Sequence, residues 1–273
     1  IEINNLMGIN NSLPNICNTF HLAEGPGGFI EAMCYIRNNK YDSYYGMTLL
    51  DNNDFNVPGW KKSERFLAKH KNVIIENGLS KDGDLFKIDN LLYCHNKYKN
   101  NIDLITGDGG FDFSYHFNEQ ESISLNLILY QVVYAIAMQK KGGTLILKVF
   151  DTFTASSLDI IYFLSQMYSE VYIVKPNTSR SANSEKYLVC KYFKMLDTTE
   201  LIYKLYRKLI EKENITRLFS DSDIPYFYKC KLEEINAIYG QQQIESIIST
   251  LSVITNSNKN EKIQTMTKNH INK

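Results

Sequence analysis

An apolar run that breaks on a cluster of glycines constrains this chain more than any other feature. Phe20, Leu22 and Ala23 lead into Glu24-Gly25-Pro26-Gly27-Gly28, and Phe29-Ile30-Glu31-Ala32-Met33 then starts a helix. A buried parallel strand hands over to a helix in this way, through a loop without bulk. Glycines let the backbone come close to a ligand, and a new helix offers free N–H groups at its start. Glu24 adds an acceptor suited to amino or hydroxyl donors. Taken alone, the segment is either a cofactor loop or a tight strand-to-helix turn of an α/β protein. A dinucleotide site more often reads Gly-x-Gly-x-x-Gly here.

The same alternation runs on through the chain. Strands are expected near 19–23, 44–48, 72–76, 102–106, 143–149, 170–174 and 186–192, with helices over 28–38, 60–70, 120–140 and 155–167. The 143–149 run is apolar almost throughout, as a central strand covered on both faces should be. In 120–140, Ile123, Leu127, Tyr130, Val133 and Tyr134 recur at spacings of three and four, giving one buried stripe. Such alternation implies a doubly wound sheet, whose ligands sit at the carboxyl ends of the strands. After about 197 the texture changes. Residues 198–214 read as an amphipathic helix, 231–253 as one or two more, and the segment from about 255 as a loose, polar tail.

The 273 residues are 44% hydrophobic, ample for one well-buried α/β domain with a small appendage. Formal net charge is zero, so a nucleic-acid partner would need locally grouped cations. No apolar run approaches the roughly 18 residues of a membrane span, and no secretory signal is visible. The five cysteines are scattered without a Cys-x-x-Cys pair, which indicates neither a disulfide framework nor a zinc site; a reducing compartment is the simplest reading. The histidines (His21, His70, His95, His116, His270) show no metal-ligand spacing, and His21 reads as a satisfied strand residue.

Three residues carry chemistry. Asp108 ends a strand-like run within Gly107-Asp108-Gly109-Gly110-Phe111-Asp112, placed either to present a carboxylate at the sheet edge or to cap a turn. Lys148 interrupts an apolar strand, a costly position unless its amine meets a partner or a cleft. Glu185 follows a polar stretch, 175–184, able either to touch a phosphate chain or to form a solvated hairpin.

Together these segments resemble the FtsJ-like ribose 2′-O-methyltransferases, and most closely the branch that acts on messenger-RNA caps. The resemblance covers about 19–194 in order. It runs through His-Leu-Ala-Glu-Gly-Pro-Gly-Gly-Phe-Ile (21–30), Gly-Met-Thr-Leu (46–49), Asp-Gly-Asp-Leu (82–85) and Asp-Gly-Gly-Phe (108–111). It continues in Leu-Lys-Val-Phe-Asp-Thr-Phe-Thr (147–154) and Lys-Pro-Asn-Thr-Ser-Arg-Ser-Ala-Asn-Ser-Glu-Lys-Tyr (175–187). It implies a Rossmann-like α/β fold, with a mostly parallel seven-stranded sheet, helices on both faces and a C-terminal helical appendage. The implied division is a methyltransferase domain over 1–196, a helical extension over 197–254 and a polar tail over 255–273.

The implied cofactor is S-adenosylmethionine, its methionine end at Glu24, Gly25, Pro26, Gly27, Gly28 and Phe29, with Thr48, Asp84 and Asp108 completing the site. The implied partner is RNA, at the 5′ end of capped mRNA, touched by Lys175, Asn177, Ser179, Arg180 and Asn183. Neither metal nor membrane is implied, and the setting is intracellular, in nucleus or cytoplasm, a virus's host included. Asp108, Lys148 and Glu185 match the last three members of the family's Lys-Asp-Lys-Glu tetrad. The first lysine should precede the glycine loop, yet the first lysine here is Lys40, downstream of it; a start at Ile1 reads as truncation. The acid usual five residues before the loop proline is His21, with Glu24 as its substitute. Two further readings share the fold: a ribosomal or transfer-RNA ribose methyltransferase, and an inactive RNA-binding module. A nicotinamide oxidoreductase fits the fold class but not Gly-Pro-Gly-Gly or Asp-Gly-Gly-Phe.

Overall fold

The computed structural model describes all residues except 52–53, 55–56, 112–118, 212–216, 221–222, 256–258 and 272–273. Asp112, His116 and the end of the 198–214 span therefore lie outside the described residues. Each expected strand is present: β1 (Asn18–Leu22), β2 (Ser43–Met47), β3 (Val73–Ile75), β4 (Ile102–Gly107), β5 (Gln139–Val149), β6 (Tyr168–Val174) and β7 (Lys186–Phe193). They form one sheet in the order β3-β2-β1-β4-β5-β7-β6. Strands β1 to β5 pair in parallel, and β7 runs antiparallel to both β5 and β6. The chain leaves β1 toward β2 on one side and returns to β4 on the other. The β1–β4 junction is thus the switch point where such sheets open a crevice at their carboxyl edge.

Successive strand residues face opposite sides. Leu104, Ile146 and Val189 point to one face and are covered by α1 (Glu2–Met7), α2 (Ile9–Ser12) and α3 (Gly28–Arg37) through Ile3, Ile9, Ile30 and Met33. Ile105, Leu145, Leu147 and Leu188 point to the other, under α5 (Ile88–Tyr98), α6 (Gln120–Met138) and α7 (Ala155–Met167). The helix expected over 60–70 is a 3-10 turn, Lys61–Ser63, followed by α4 (Glu64–Lys69). Helix α6 corrects the expectation about membrane spans. By length and composition it is apolar enough to cross one, but 67% of that stretch is buried inside the fold, as befits a core helix.

Helix α8 (Thr199–Glu211) buries Ile202, Leu205 and Leu209, a stripe at spacings of three and four. One unbroken helix, α9 (Tyr226–Thr255), covers the span where one or two were expected. It is tied down by polar contacts: Asn236 Nδ2 donates to the Thr152 carbonyl (2.7 Å), Thr152 Oγ1 to Asn236 Oδ1 (2.6 Å), and Tyr239 to the Ile173 carbonyl (3.0 Å). The loose tail expected from 255 is instead helical over α10 (Lys259–Ile271), which packs against α9.

Candidate active site

Parity along three neighbouring strands assembles the site. In β4, Leu104 and Thr106 share a face, and the next residue of that set is Asp108. In β5 the set is Ile146 and Lys148, and in β7 it is Val189, Tyr187 and, just before the strand, Glu185. The pairing register places Lys148 opposite Tyr187. The antiparallel direction of β7 brings its start, rather than its end, to this edge. Lys148 Nζ lies 3.2 Å from Asp108 Oδ1, with its side chain 14% exposed. The Tyr187 hydroxyl donates to the same oxygen at 3.4 Å. Burial pushes the Asp108 carboxyl up, and the Lys148 ammonium opposes that rise. Burial also raises the Tyr187 phenol, which stays protonated.

The turn that presents Asp108 is held from beneath by Gln131 of α6. The Gly109 amide donates to Gln131 Oε1 (3.1 Å), and a Cβ on Gly109 would come within 2.8 Å of Gln131 Nε2. Gln131 is fully buried, so the glycine there answers a close approach. Neither Gln131 nor Tyr187 stood out in the sequence. Only the strand register reveals the second, and nothing short of the fold reveals the first.

The glycine loop lies one strand away. Glu24 is 3% exposed, and its Oε1 accepts from the Phe29 (2.6 Å) and Ile30 (3.1 Å) amides at the start of α3. Its Oε2 is buried without a partner. Burial pushes this carboxyl up to about 8; the two amides and Lys148 pull against that, and Asp108 adds to it. A cationic or amino donor is what the orphaned oxygen lacks. A Cβ on Gly28 would meet nothing within 4 Å, so space remains beside the loop. Across the crevice, Gly83 (φ +67°) presses its backbone on Thr48, where a Cβ would sit 1.9 Å from the Thr48 carbonyl oxygen. Asp84 is thereby held next to Thr48, and its Oδ1 accepts from the Phe86 amide at 2.9 Å. The residues expected to hold the cofactor lie in the loops that follow β1, β2, β3 and β4, and the unpartnered Glu24 oxygen suits a ligand with an amino end.

His21 takes no part in such binding. Fully buried, it bridges Thr19 and Thr106 through its two ring nitrogens, each at 2.8 Å. Burial pushes it down to about 3, so the ring is neutral and structural. Lys40 follows α3 and precedes β2, at the opposite edge of the sheet, and stacks over Tyr41. It is no stand-in for the first lysine of the implied tetrad.

The loop between β6 and β7 frames the third side. Ser179 Oγ donates to Glu185 Oε1 (2.8 Å), while the Asn177 and Thr178 amides donate to the Glu2 carboxylate (2.6 and 2.9 Å). Asn177 and Arg180 are exposed. The ammonium of Lys175, expected to touch RNA, turns inward onto its own loop, to Ser179, Asn183 and Glu185. A cavity of about 250 Å³ opens beside Glu185 and Tyr187, reaching Phe29 and Met33 of α3.

A sheet of this order, with a single antiparallel strand, a glycine loop after β1 and a lysine–aspartate pair at the carboxyl edge, defines a doubly wound α/β fold with a crevice at its switch point. Comparison with known proteins narrows the class. The chain belongs to the FtsJ-like methyltransferase family, whose sequence model matches residues 2–193. It is 31% identical to a cap-specific mRNA (nucleoside-2′-O-)-methyltransferase 1 of Drosophila melanogaster over 82% of this chain and 29% of that one. The Homo sapiens protein of the same name is 34% identical over 73% of this chain and 24% of its own. The chain therefore spans only about a quarter of the length of these relatives. Among solved structures, a ribosomal RNA methyltransferase from Plasmodium falciparum is similar at 20% identity, over 69% of this chain and 94% of that one, with a TM-score of 0.46.

Proposed function

We propose that this chain methylates a ribose 2′-hydroxyl of RNA, at the 5′ end of capped mRNA, with S-adenosylmethionine as donor. The observation that carries the reading is the Lys148–Asp108 pair, steadied by Tyr187 and set between the glycine loop and Glu185. When bound, S-adenosylmethionine supplies a methyl group on a cationic sulfur. Glu24 and the 25–29 loop, with Thr48 and Asp84, would hold it. A ribose hydroxyl is a poor nucleophile until its proton is taken or strongly polarised, and Lys148 is the side chain placed to do this. Asp108 fixes the amine, and Glu185 bounds the acceptor's side of the site. Much of the acceleration comes from holding two substrates in line, worth up to about 7–11 kcal/mol in well-oriented systems. The 2′-hydroxyl is also what separates RNA from DNA. Exposed Arg180 and Asn177, with Ser179 and Asn183 behind them, face the RNA. Such an enzyme works inside the cell, in nucleus or cytoplasm. The names of the relatives and the 175–187 segment support the cap; neither bears on protein partners.

The test is transfer of labelled methyl to short RNAs, capped and uncapped. Preference for the capped RNA is expected. Equal transfer to both would overturn the cap, and RNA binding without transfer would leave an inactive binding module.

Glu24 gives a second test. Its carboxyl titrates above its unfolded value, so its contribution to stability is full at low pH and fades as pH rises from the ordinary glutamate range toward 8. A carboxyl raised in this way holds its proton near neutral pH, and an ammonium seated on it would expel that proton. Calorimetry in two buffers of different ionisation enthalpy should therefore show proton release when S-adenosylmethionine binds at pH 7. The Glu24→Gln variant should bind more weakly and release none. Proton-neutral binding by the unaltered chain would remove Glu24 from the amino end.

A further inference from the structure

We propose that Lys175 is a positioning residue for Glu185 and not a contact to the RNA phosphates. The proposal deepens the functional reading above and rests on it. Lys175 follows β6, and Glu185 precedes β7, so the segment between them closes a loop over the site. The Lys175 ammonium sits inside that loop. It donates to the Glu185 carbonyl at 2.8 Å, to the Asn183 carbonyl at 2.9 Å, to Asn183 Oδ1 at 2.5 Å and to Ser179 Oγ at 3.2 Å. Three protons thus serve four oxygens, three of them on the arm of the loop that leads into β7. Ser179 in turn donates to the Glu185 carboxylate at 2.8 Å.

The ammonium therefore acts on Glu185 by two routes: directly through its backbone carbonyl, and through the hydroxyl that holds one carboxylate oxygen. Burial pushes Lys175 down to about 8, against the pull of Glu185, so an ammonium here is held by these oxygens rather than by water. A phosphate reaching Lys175 would have to displace the bonds that shape the loop. Elsewhere the loop is held by partners that leave Glu185 untouched: Glu2 on the 177–178 amides, and Gln243 Nε2 of α9 on the Ala182 carbonyl at 3.2 Å. Among the described residues, Lys175 is the one cation bonded to both Glu185 and the residue that orients it.

The two roles separate in kinetics. Small misplacement of a reacting group costs up to about 100-fold in rate. Lys175→Met should lower kcat by about 10- to 100-fold, with KM for capped RNA nearly unchanged and the salt dependence of RNA binding unaltered. A lost phosphate contact would instead weaken RNA binding and flatten the plot of log K against log salt by about 0.7 per contact on a single strand. Lys175→Arg should not restore the rate, because a planar fork does not fit four oxygens arranged around a point charge; a phosphate contact would be restored by it. Ser179→Ala should repeat the kcat loss in milder form, and it decides the matter if Lys175→Met fails to fold.

Hydrogen exchange on the same proteins reads the loop without any turnover, and amides across 179–185 should exchange at least about tenfold faster in Lys175→Met. Unchanged kcat with weaker, less salt-sensitive binding would overturn the proposal, as would unchanged exchange in the loop. An unaltered chain that transfers no methyl would sink the functional reading instead, and the exchange result would still decide whether Lys175 holds the loop.

Discussion

Lys148→Ala is expected to abolish methyl transfer while leaving S-adenosylmethionine binding nearly intact. The amine lies 3.2 Å from the Asp108 carboxylate, on a central strand whose neighbouring residues Leu145, Ile146, Leu147 and Val149 are buried. Positioned acid–base groups contribute about 10²- to 10⁴-fold, a loss that a labelled-methyl assay reads as silence. Lys148→Arg should not rescue it, because a guanidinium cannot take up a proton. The fold should survive, since Asp108 keeps a third of its side chain in solvent and retains the Tyr187 hydroxyl. Binding should survive because Glu24, Thr48 and Asp84 stand in loops that follow other strands. The measurement is kcat alongside cofactor affinity by calorimetry. Normal turnover in Lys148→Ala would remove this residue from the reaction.

The largest expected effect on stability lies at the other edge of the sheet. Asp42 is 1% exposed and binds Arg37 by an ion pair through Nε, with a second bond from Nη2 at 3.2 Å. It also accepts from the Cys17 amide (2.9 Å), Asn39 Nδ2 (3.2 Å) and the Tyr44 hydroxyl (3.0 Å). One carboxylate thus joins the entry to β1, the end of α3 and the start of β2, the unit that carries the glycine loop. Burial alone would raise it, but Arg37 and the other donors outweigh burial and hold it below the usual aspartate range. Removing one partner of a buried pair costs about 3–5 kcal/mol, because the other charge is left uncompensated. Asp42→Ala should therefore lower Tm by roughly 5–10 °C for a chain of this size. The depressed carboxyl stabilises the fold above its unfolded pKa. That stability is lost as pH falls through the lower folded value, so the variant and the unaltered chain should converge in acid. A Tm within a degree or so of the unaltered chain at neutral pH would contradict this account.

Much of this was legible before the fold. Parallel strands covered on both faces read as plain apolar runs, so β1, β4 and β5 were placed within a residue or a few. Lys148 and Asp108 stood out because a charge in an apolar strand, or between glycines at its end, needs a reason. Helix α5 was not legible: its inner face carries buried Asn90 and His95, whose hydrogen bonds hide the apolar spacing of Leu91, Cys94 and Tyr98. The inward turn of Lys175 was not legible either. A cation in a polar loop looks like a phosphate contact until the return of β7 brings Glu185 back to it. Glu2 reaches the same loop across 175 residues of sequence, a contact that no local pattern signals. The bonds of α9 to Thr152 and Ala182 likewise join the site's loops to a segment whose sequence says only that it is helical.

The most direct measurement concerns the atom that receives the methyl group. Capped RNA should be labelled with S-adenosylmethionine and this chain, then hydrolysed in alkali. Alkaline cleavage needs a free 2′-hydroxyl to attack the neighbouring phosphodiester, so a 2′-O-methyl group protects its own linkage. The account requires the label in an alkali-resistant fragment that still contains that linkage. Label released in mononucleotides would mean methylation of a base and would contradict it.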